Sequence, residues 1–269
     1  NINGGLVDAQ ATGDSGWGLT INMTGGEFRT FNGVSSSSAG PDIALGGPSG
    51  GTGGAVNTFA NNTPAVISGR INIRENNPNN LVPFTVADGA ADPDLLVSAA
   101  ITTSGASYGL SKNGPGKMIF TGGNTYNSPT VINAGTLQIG AGGTSGVIGT
   151  GNITNNASLV FNRSDAQTVS APIYGSGTVQ NIGTGALLLN GANAYTGDTT
   201  ISAGTLQGTG TINSSVTIQP GASVSAGGVL GTGTLTLSNL TVNPGAGLVF
   251  DLSSTAATSD MLAVRGALS

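Results

Sequence analysis

The chain repeats itself, and this constrains its fold more than any other feature. Thr130 to Gln138 reads TVINAGTLQ, and Thr199 to Gln207 reads TTISAGTLQ, so the second copy is offset by 69 in sequence number. Asn124 and Asn193 keep that offset, as do Tyr126 and Tyr195. Shorter offsets follow. GTGTI at 208–212 returns as GTGTL at 231–235, an offset of 23. VTIQPGASV at 216–224 returns as LTVNPGAGL at 240–248, an offset of 24. A period of 23–24 suits one coil of a solenoid, and 69 is three coils of 23. Self-similarity at this spacing predicts stacked units that each bury an apolar face against their neighbours.

Within the repeats, apolar residues alternate with polar ones. The pairs Leu137 and Ile139, Val216 and Ile218, Leu235 and Leu237, Leu240 and Val242, and Leu248 and Phe250 each sit two apart. Period 2 sends one set of side chains to an inner face. Turn signals separate these runs, as in Gln219-Pro220-Gly221 and Asn243-Pro244-Gly245. Proline presets φ there and glycine accepts positive φ. No stretch keeps helical apolar spacing over three turns. The expected fold is therefore all-β, a right-handed parallel β-helix with a coil period of about 23–24. A sandwich is the alternative, but it does not call for in-register reuse of one turn.

Composition fits a narrow core. Apolar residues make up 37%, aromatics 4% and charged residues 7%. Low charge with this much apolar content argues against disorder. The seven Lys and Arg are scattered and the net charge is −5, which argues against nucleic-acid binding. There are no cysteines, so neither disulfides nor thiolates contribute. No window of 18 apolar residues occurs, so no transmembrane segment is expected. Asn1 in place of Met reads as the start of a mature or excised segment. Thirteen of the 19 charged residues precede residue 121. Residues 1–108 therefore read as an irregular, β-rich portion with a surface loop at 34–54, and residues 109–269 as the regular repeats.

Residues 175–212, GSGTVQNIGTGALLLNGANAYTGDTTISAGTLQGTGTI, resemble the passenger-associated transport repeat of bacterial autotransporters. The resemblance rests on Gly183-Thr184-Gly185-Ala186-Leu187, Asn193-Ala194-Tyr195-Thr196-Gly197 and Ala203-Gly204-Thr205-Leu206. An earlier copy at 109–140 departs at Asn127 and Ser128-Pro129. PFTVADGA at 83–90, DLLVSAAI at 94–101 and SDMLAVRGALS at 259–269 also look like recurrent pieces of such proteins. The resemblance implies a β-helical passenger, extracellular or at the bacterial cell surface. It says how the molecule is built and exported, not what it does.

Chemistry-bearing motifs are few. Gly13-Asp14-Ser15-Gly16 echoes a serine-protease nucleophile loop, but the chain has no His to serve as base. Asp88, Asp92 and Asp94 cluster in ADGAADPD, where a Ca²⁺ site or a solvated turn are the readings. The same carboxylates could serve a polysaccharide hydrolase or lyase, with Arg70 and Arg74 supplying charge nearby. Asn124, Tyr126, Asn193 and Tyr195 form either a glycan platform or structural corners, and structure is the expected role. Asn-x-Ser/Thr triplets at Asn22, Asn61, Asn152, Asn156, Asn162, Asn213 and Asn239 are what so Asn- and Thr-rich a chain produces. No catalytic, cofactor-binding or metal-binding residue is assigned, and no cofactor is expected. The expected function is an extracellular structural scaffold, a stalk or a self-assembling fibre subunit. Its partners would be other copies stacked end to end or neighbouring segments of a longer chain. An adhesin passenger binding a surface or glycan is the alternative, and a polysaccharide-active enzyme comes third.

Overall fold

The computed structural model describes residues 1–9, 19–30, 43–45, 54–74, 80–103, 108–228, 232–251 and 259–269. The Gly13–Gly16 motif and most of the 34–54 segment lie outside the described residues. Contacts divide the chain into two compact units. The first is Asn1–Gln138 with Ser145–Gly151, and the second is Ile139–Thr144 with Asn152–Ser269.

In the first unit, short strands stack in three parallel columns. One runs through Ile2–Asn3, Thr20–Thr24, Ala55–Thr58, Leu81–Val86, Gly109–Asn113 and Thr130–Ile132. The next runs through Leu6–Ala9, Gly26–Thr30, Ala65–Ser68, Leu95–Val97 and Lys117–Phe120. The third holds Ile43–Leu45, Arg70–Ile73 and Ala100–Thr103.

The second unit repeats the plan. One column is Ser158–Phe161, Thr178–Asn181, Thr199–Ile201, Thr211–Ile218, Thr234–Val242 and Met261–Val264. Another is Gln167–Val169, Ala186–Leu189, Thr205–Gln207, Ser223–Ser225 and Gly247–Val249. Ile153–Asn155 pairs with Ile173–Tyr174, and Ala192–Asn193 with the start of Thr211–Ile218. Among the described residues there is no helix. Each unit is a parallel β-helix.

The inward set of each strand supplies the core. In the first unit the column Ile21, Val56, Phe84, Lys112, Ile132 is in register from coil to coil. All five side chains are buried. In the second, Phe161, Asn181, Ile201 and Ile218 stack in the same way and are buried. Each fully buried Ile or Phe contributes roughly 1.5–3 kcal/mol. One polar residue interrupts each of these apolar columns, Lys112 in one and Asn181 in the other.

Coil length is not uniform. Leu95 pairs with Met118 at a spacing of 23, and Ser223 with Gly247 at 24. Between these, the spacing shortens. Leu110 pairs with Thr130 and Val179 with Thr199 at 20, and Thr199 with Val216 at 17. Earlier coils vary more, 21 at Ile2 to Met23, 35 at Thr20 to Ala55 and 28 at Leu81 to Gly109. A coil of 20 does not divide 69, so the long offset marks a repeated corner rather than three equal coils. Coil length is free to vary because the ladder fixes only the strands, and loops between them absorb insertions at small entropic cost.

Candidate functional site

The most elaborate side-chain chemistry is the corner that the repeat builds twice. In the first copy the strand Gly109–Asn113 carries Lys112 next to its end, and this residue is 0% exposed. Its Nζ donates to the carbonyls of Asn113 (3.1 Å), Gly114 (2.8 Å) and Ala134 (3.0 Å). An ammonium has three donors, and all three are used. Burial pulls its pKa down to about 8, against an opposing pull from Asp94.

In the second copy the matching residue, at the same offset of 69, is Asn181. Its Nδ2 donates to the carbonyls of Gly183 (3.2 Å), Gly185 (3.2 Å) and Ala203 (2.9 Å). Gly183 and Ala203 are Gly114 and Ala134 shifted by 69. The backbone follows the same path. Asn133 N–H donates to Lys112 O at 2.9 Å, and Ser202 N–H donates to Asn181 O at 2.8 Å. Two different side chains thus satisfy two matching carbonyls, while the third acceptor is Asn113 O in one copy and Gly185 O in the other.

The Ala-Gly-Thr-Leu tail is explained by this corner. Ala134 and Ala203 give a carbonyl to the cage. Gly135 and Gly204 follow with φ of 68° and 65°. They lie flat on the turn of the preceding coil. A Cβ on Gly135 would meet Gly116 O at 2.5 Å, and one on Gly204 would meet Gly185 O at 2.2 Å. Leu137 and Leu206 then enter the core.

The paired Asn and Tyr close the other side of the repeat. Asn124 Oδ1 accepts the Ile101 N–H at 2.8 Å, and its Nδ2 donates to Val147 O at 2.8 Å. Asn193 Oδ1 accepts the Ile173 N–H at 3.1 Å, and its Nδ2 donates to Gly191 O at 3.0 Å. Tyr126 and Tyr195 are fully buried. Their hydroxyls bond the threonine four residues on, Thr130 and Thr199. Burial pushes both phenols up to about 12 against the opposing pull of those hydroxyls. No ring face is presented to a ligand, so these four residues build corners rather than a platform.

Asp88, Asp92 and Asp94 do not converge. Asp94 is buried, with Oδ1 accepting the Gly89 N–H at 2.7 Å and Oδ2 the Lys117 N–H at 2.8 Å. Asp92 is exposed and pairs with Lys117 Nζ at 2.9 Å. Asp88 is exposed. Among the described residues no group of three or more His, Cys, Asp or Glu is placed to share a metal ion. Arg70 opens the third-column strand Arg70–Ile73, and Arg74 follows it. Sequence reasoning missed Lys112 and Asn181. Their shared offset was readable, but a lysine and an asparagine do not look like the same part.

Comparison with known proteins agrees with this geometry. Residues 110–139 and 182–207 match the family model of the passenger-associated-transport-repeat. These stretches contain both corners, save that Asn181 falls just ahead of the second. A 68-residue stretch is 43% identical to the adhesin BmaC autotransporter of Brucella suis biovar 1 (strain 1330). That match covers 25% of this chain and 2% of the adhesin. No solved structure matches the chain. The chain carries autotransporter passenger-associated repeats, folded as a parallel β-helix. Among the described residues, no helix is long and apolar enough to cross a membrane.

Proposed function

We propose that this chain is a structural segment of an extracellular or surface-displayed bacterial passenger, and that its work is to hold and present rather than to catalyse. One observation carries the reading: the buried lysine, asparagines and tyrosines that mark the repeat corners are bonded within the protein itself. Lys112, Asn124, Asn181 and Asn193 each bond main-chain groups, and the two buried tyrosines bond threonines. Catalysis needs polar groups aimed at a substrate, and here they are aimed at the next coil. Within each unit the continuous ladder of parallel strands holds the coils together.

Stacking on further coils belongs to the same reading. The coil formed by Gly247–Val249 and Met261–Val264 leaves Leu248, Val249, Phe250, Met261 and Leu268 exposed. Leu248 is in register with Val224, which is 1% exposed, while Leu248 is 46% exposed. A neighbouring segment of a longer passenger, or another copy, would cover this row. Adhesion is the second reading, favoured by the adhesin relative.

Electron microscopy and sedimentation of the purified chain, with a glycan and matrix-protein binding array, test these readings. Stiff particles with no array binding fit the scaffold. Saturable binding by the isolated chain moves the reading to adhesion. Turnover on a polysaccharide panel, lost in Asp88→Ala or Asp92→Ala, overturns both.

A further inference from the structure

Lys112 and Asn181 show that the repeat corner accepts unlike side chains at one place. What the two copies share is a pair of acceptors, the carbonyls of Gly114 and Ala134 in one and of Gly183 and Ala203 in the other, the second of each pair supplied by the next coil. In the first copy the carbonyls are those of Asn113, Gly114 and Ala134, at 2.8–3.1 Å from the bound nitrogen. The sleeve leading to them is apolar, with Phe84 below and Ile132 above in register, both fully buried. In the second copy Nδ2 of Asn181, on a shorter stem, reaches the carbonyls of Gly183, Gly185 and Ala203.

We propose that the corner is a binding site for nitrogen donors, with Lys112 as a tethered primary amine and Asn181 as a tethered amide. Emptied of its side chain, each cage takes a free ligand of the chemistry it lost. The Lys112 cage selects a primary alkylamine whose stem fills the sleeve. The Asn181 cage selects a small amide.

The physical reasons are separable. Hydrogen-bond acceptors in a half-buried turn are costly to leave unmet, so an emptied cage favours any donor that fits. The sleeve buries the apolar stem of the ligand, so stem length discriminates among amines. Lys112→Ala deletes three methylenes and the amine, which is propylamine in outline. Asn181→Ala deletes only the carboxamide, which is formamide in outline. A bare alkali cation matches neither stem. With ligands of so few heavy atoms, affinities on the order of millimolar are expected.

The test uses the full 269-residue chain. Thermal unfolding of Lys112→Ala, Lys112→Met, Asn181→Ala and the parent is followed by circular dichroism against propylamine hydrochloride, formamide and KCl, up to about 100 times a millimolar Kd. Propylamine is expected to raise the midpoint of Lys112→Ala by several degrees, and formamide that of Asn181→Ala. Neither moves the parent or Lys112→Met, whose side chain fills the sleeve without donating. If an alanine variant is unfolded without ligand, the same titration reads recovery of its β signal. Equal responses to KCl and propylamine, no response in either alanine variant, or the same response in Lys112→Met overturns the proposal.

Discussion

At the scale of the residue, the corner turns on what a buried nitrogen can donate. Lys112→Met keeps the volume and removes the donors. Three carbonyls then lose their partner, and a loss on the order of 3 kcal/mol is expected. Lys112→Asn installs the donor type that Asn181 uses, and is expected to cost less than Lys112→Met. Urea unfolding of the three proteins side by side decides this, and a Lys112→Asn variant as weak as Lys112→Met would contradict the equivalence of the corners. Lys112 also carries a pH signature. Its folded pKa is about 8, below the ordinary 10.5, because burial penalises the charge. Between those values the unfolded chain holds a proton that the folded chain has released. Stability from this group therefore rises with pH across about 8 to 10.5 and is flat below. The parent is expected to gain on the order of 3 kcal/mol over Lys112→Asn in that window, since one pKa unit is about 1.4 kcal/mol. The difference between the two proteins cancels the titration of tyrosines. A difference that stays constant from pH 7 to 10.5 would refute the assignment.

At the scale of the element, the sequence exposed the strands but not their company. Period-2 alternation located Leu137, Val216, Ile218, Leu235 and Leu240, all of which are buried. The same alternation placed Leu248 and Phe250 inward, yet both are exposed, because pattern reports which face a residue takes and not what covers it. The structural role of Asn124, Asn193, Tyr126 and Tyr195 was also legible, since residues that recur with the turns belong to the turns. Coil length was not. Offsets between similar sequences measure repeats, whereas registers measure coils, and the two differ wherever loops vary. Lys112 escaped because charge is read as surface, and only the carbonyls of its own turn and of an adjacent coil make its burial tolerable. Gly135 and Gly204 give the element its sharpest test. Each combines a left-handed φ with backbone oxygen at a position that a Cβ would occupy. Gly135→Ala and Gly204→Ala are each expected to cost on the order of 2–4 kcal/mol. Gly123, with open space around its Cβ position and no left-handed φ, is the control at which alanine should be nearly neutral. Chemical unfolding of the three variants tests this, and equal losses at all three sites would reject the stacked-turn explanation.

At the scale of the whole molecule, the chain is held by backbone ladders and apolar columns, with charge nearly absent. The ion pairs described are short-range and part-exposed: Glu27 with Arg29, Asp92 with Lys117, Asp165 with Arg163. Such pairs contribute about 0–1 kcal/mol each and are weakened by salt. Raising NaCl from low to molar concentration is therefore expected to change the unfolding free energy by no more than about 2 kcal/mol. A larger loss would mean that electrostatics matter more than the structure indicates. The exposed coil calls for the opposite dependence. Leu248, Val249, Phe250, Met261 and Leu268 crowd one coil, and the strand Gly247–Val249 has no described strand on its far side. An open edge of this kind offers both unpaired main-chain groups and apolar surface. If another copy covers it, the parent should associate as concentration rises, more strongly in high salt. Leu248→Asp with Met261→Asp should then remain monomeric while keeping the same β signal, because both side chains are exposed in the isolated chain. Sedimentation velocity from micromolar to about millimolar concentration separates the outcomes. Association abolished by the pair of aspartates identifies the coil as the stacking surface. A parent that stays monomeric throughout removes self-stacking and leaves a neighbouring segment of a longer passenger as the partner that the row of apolar side chains fits.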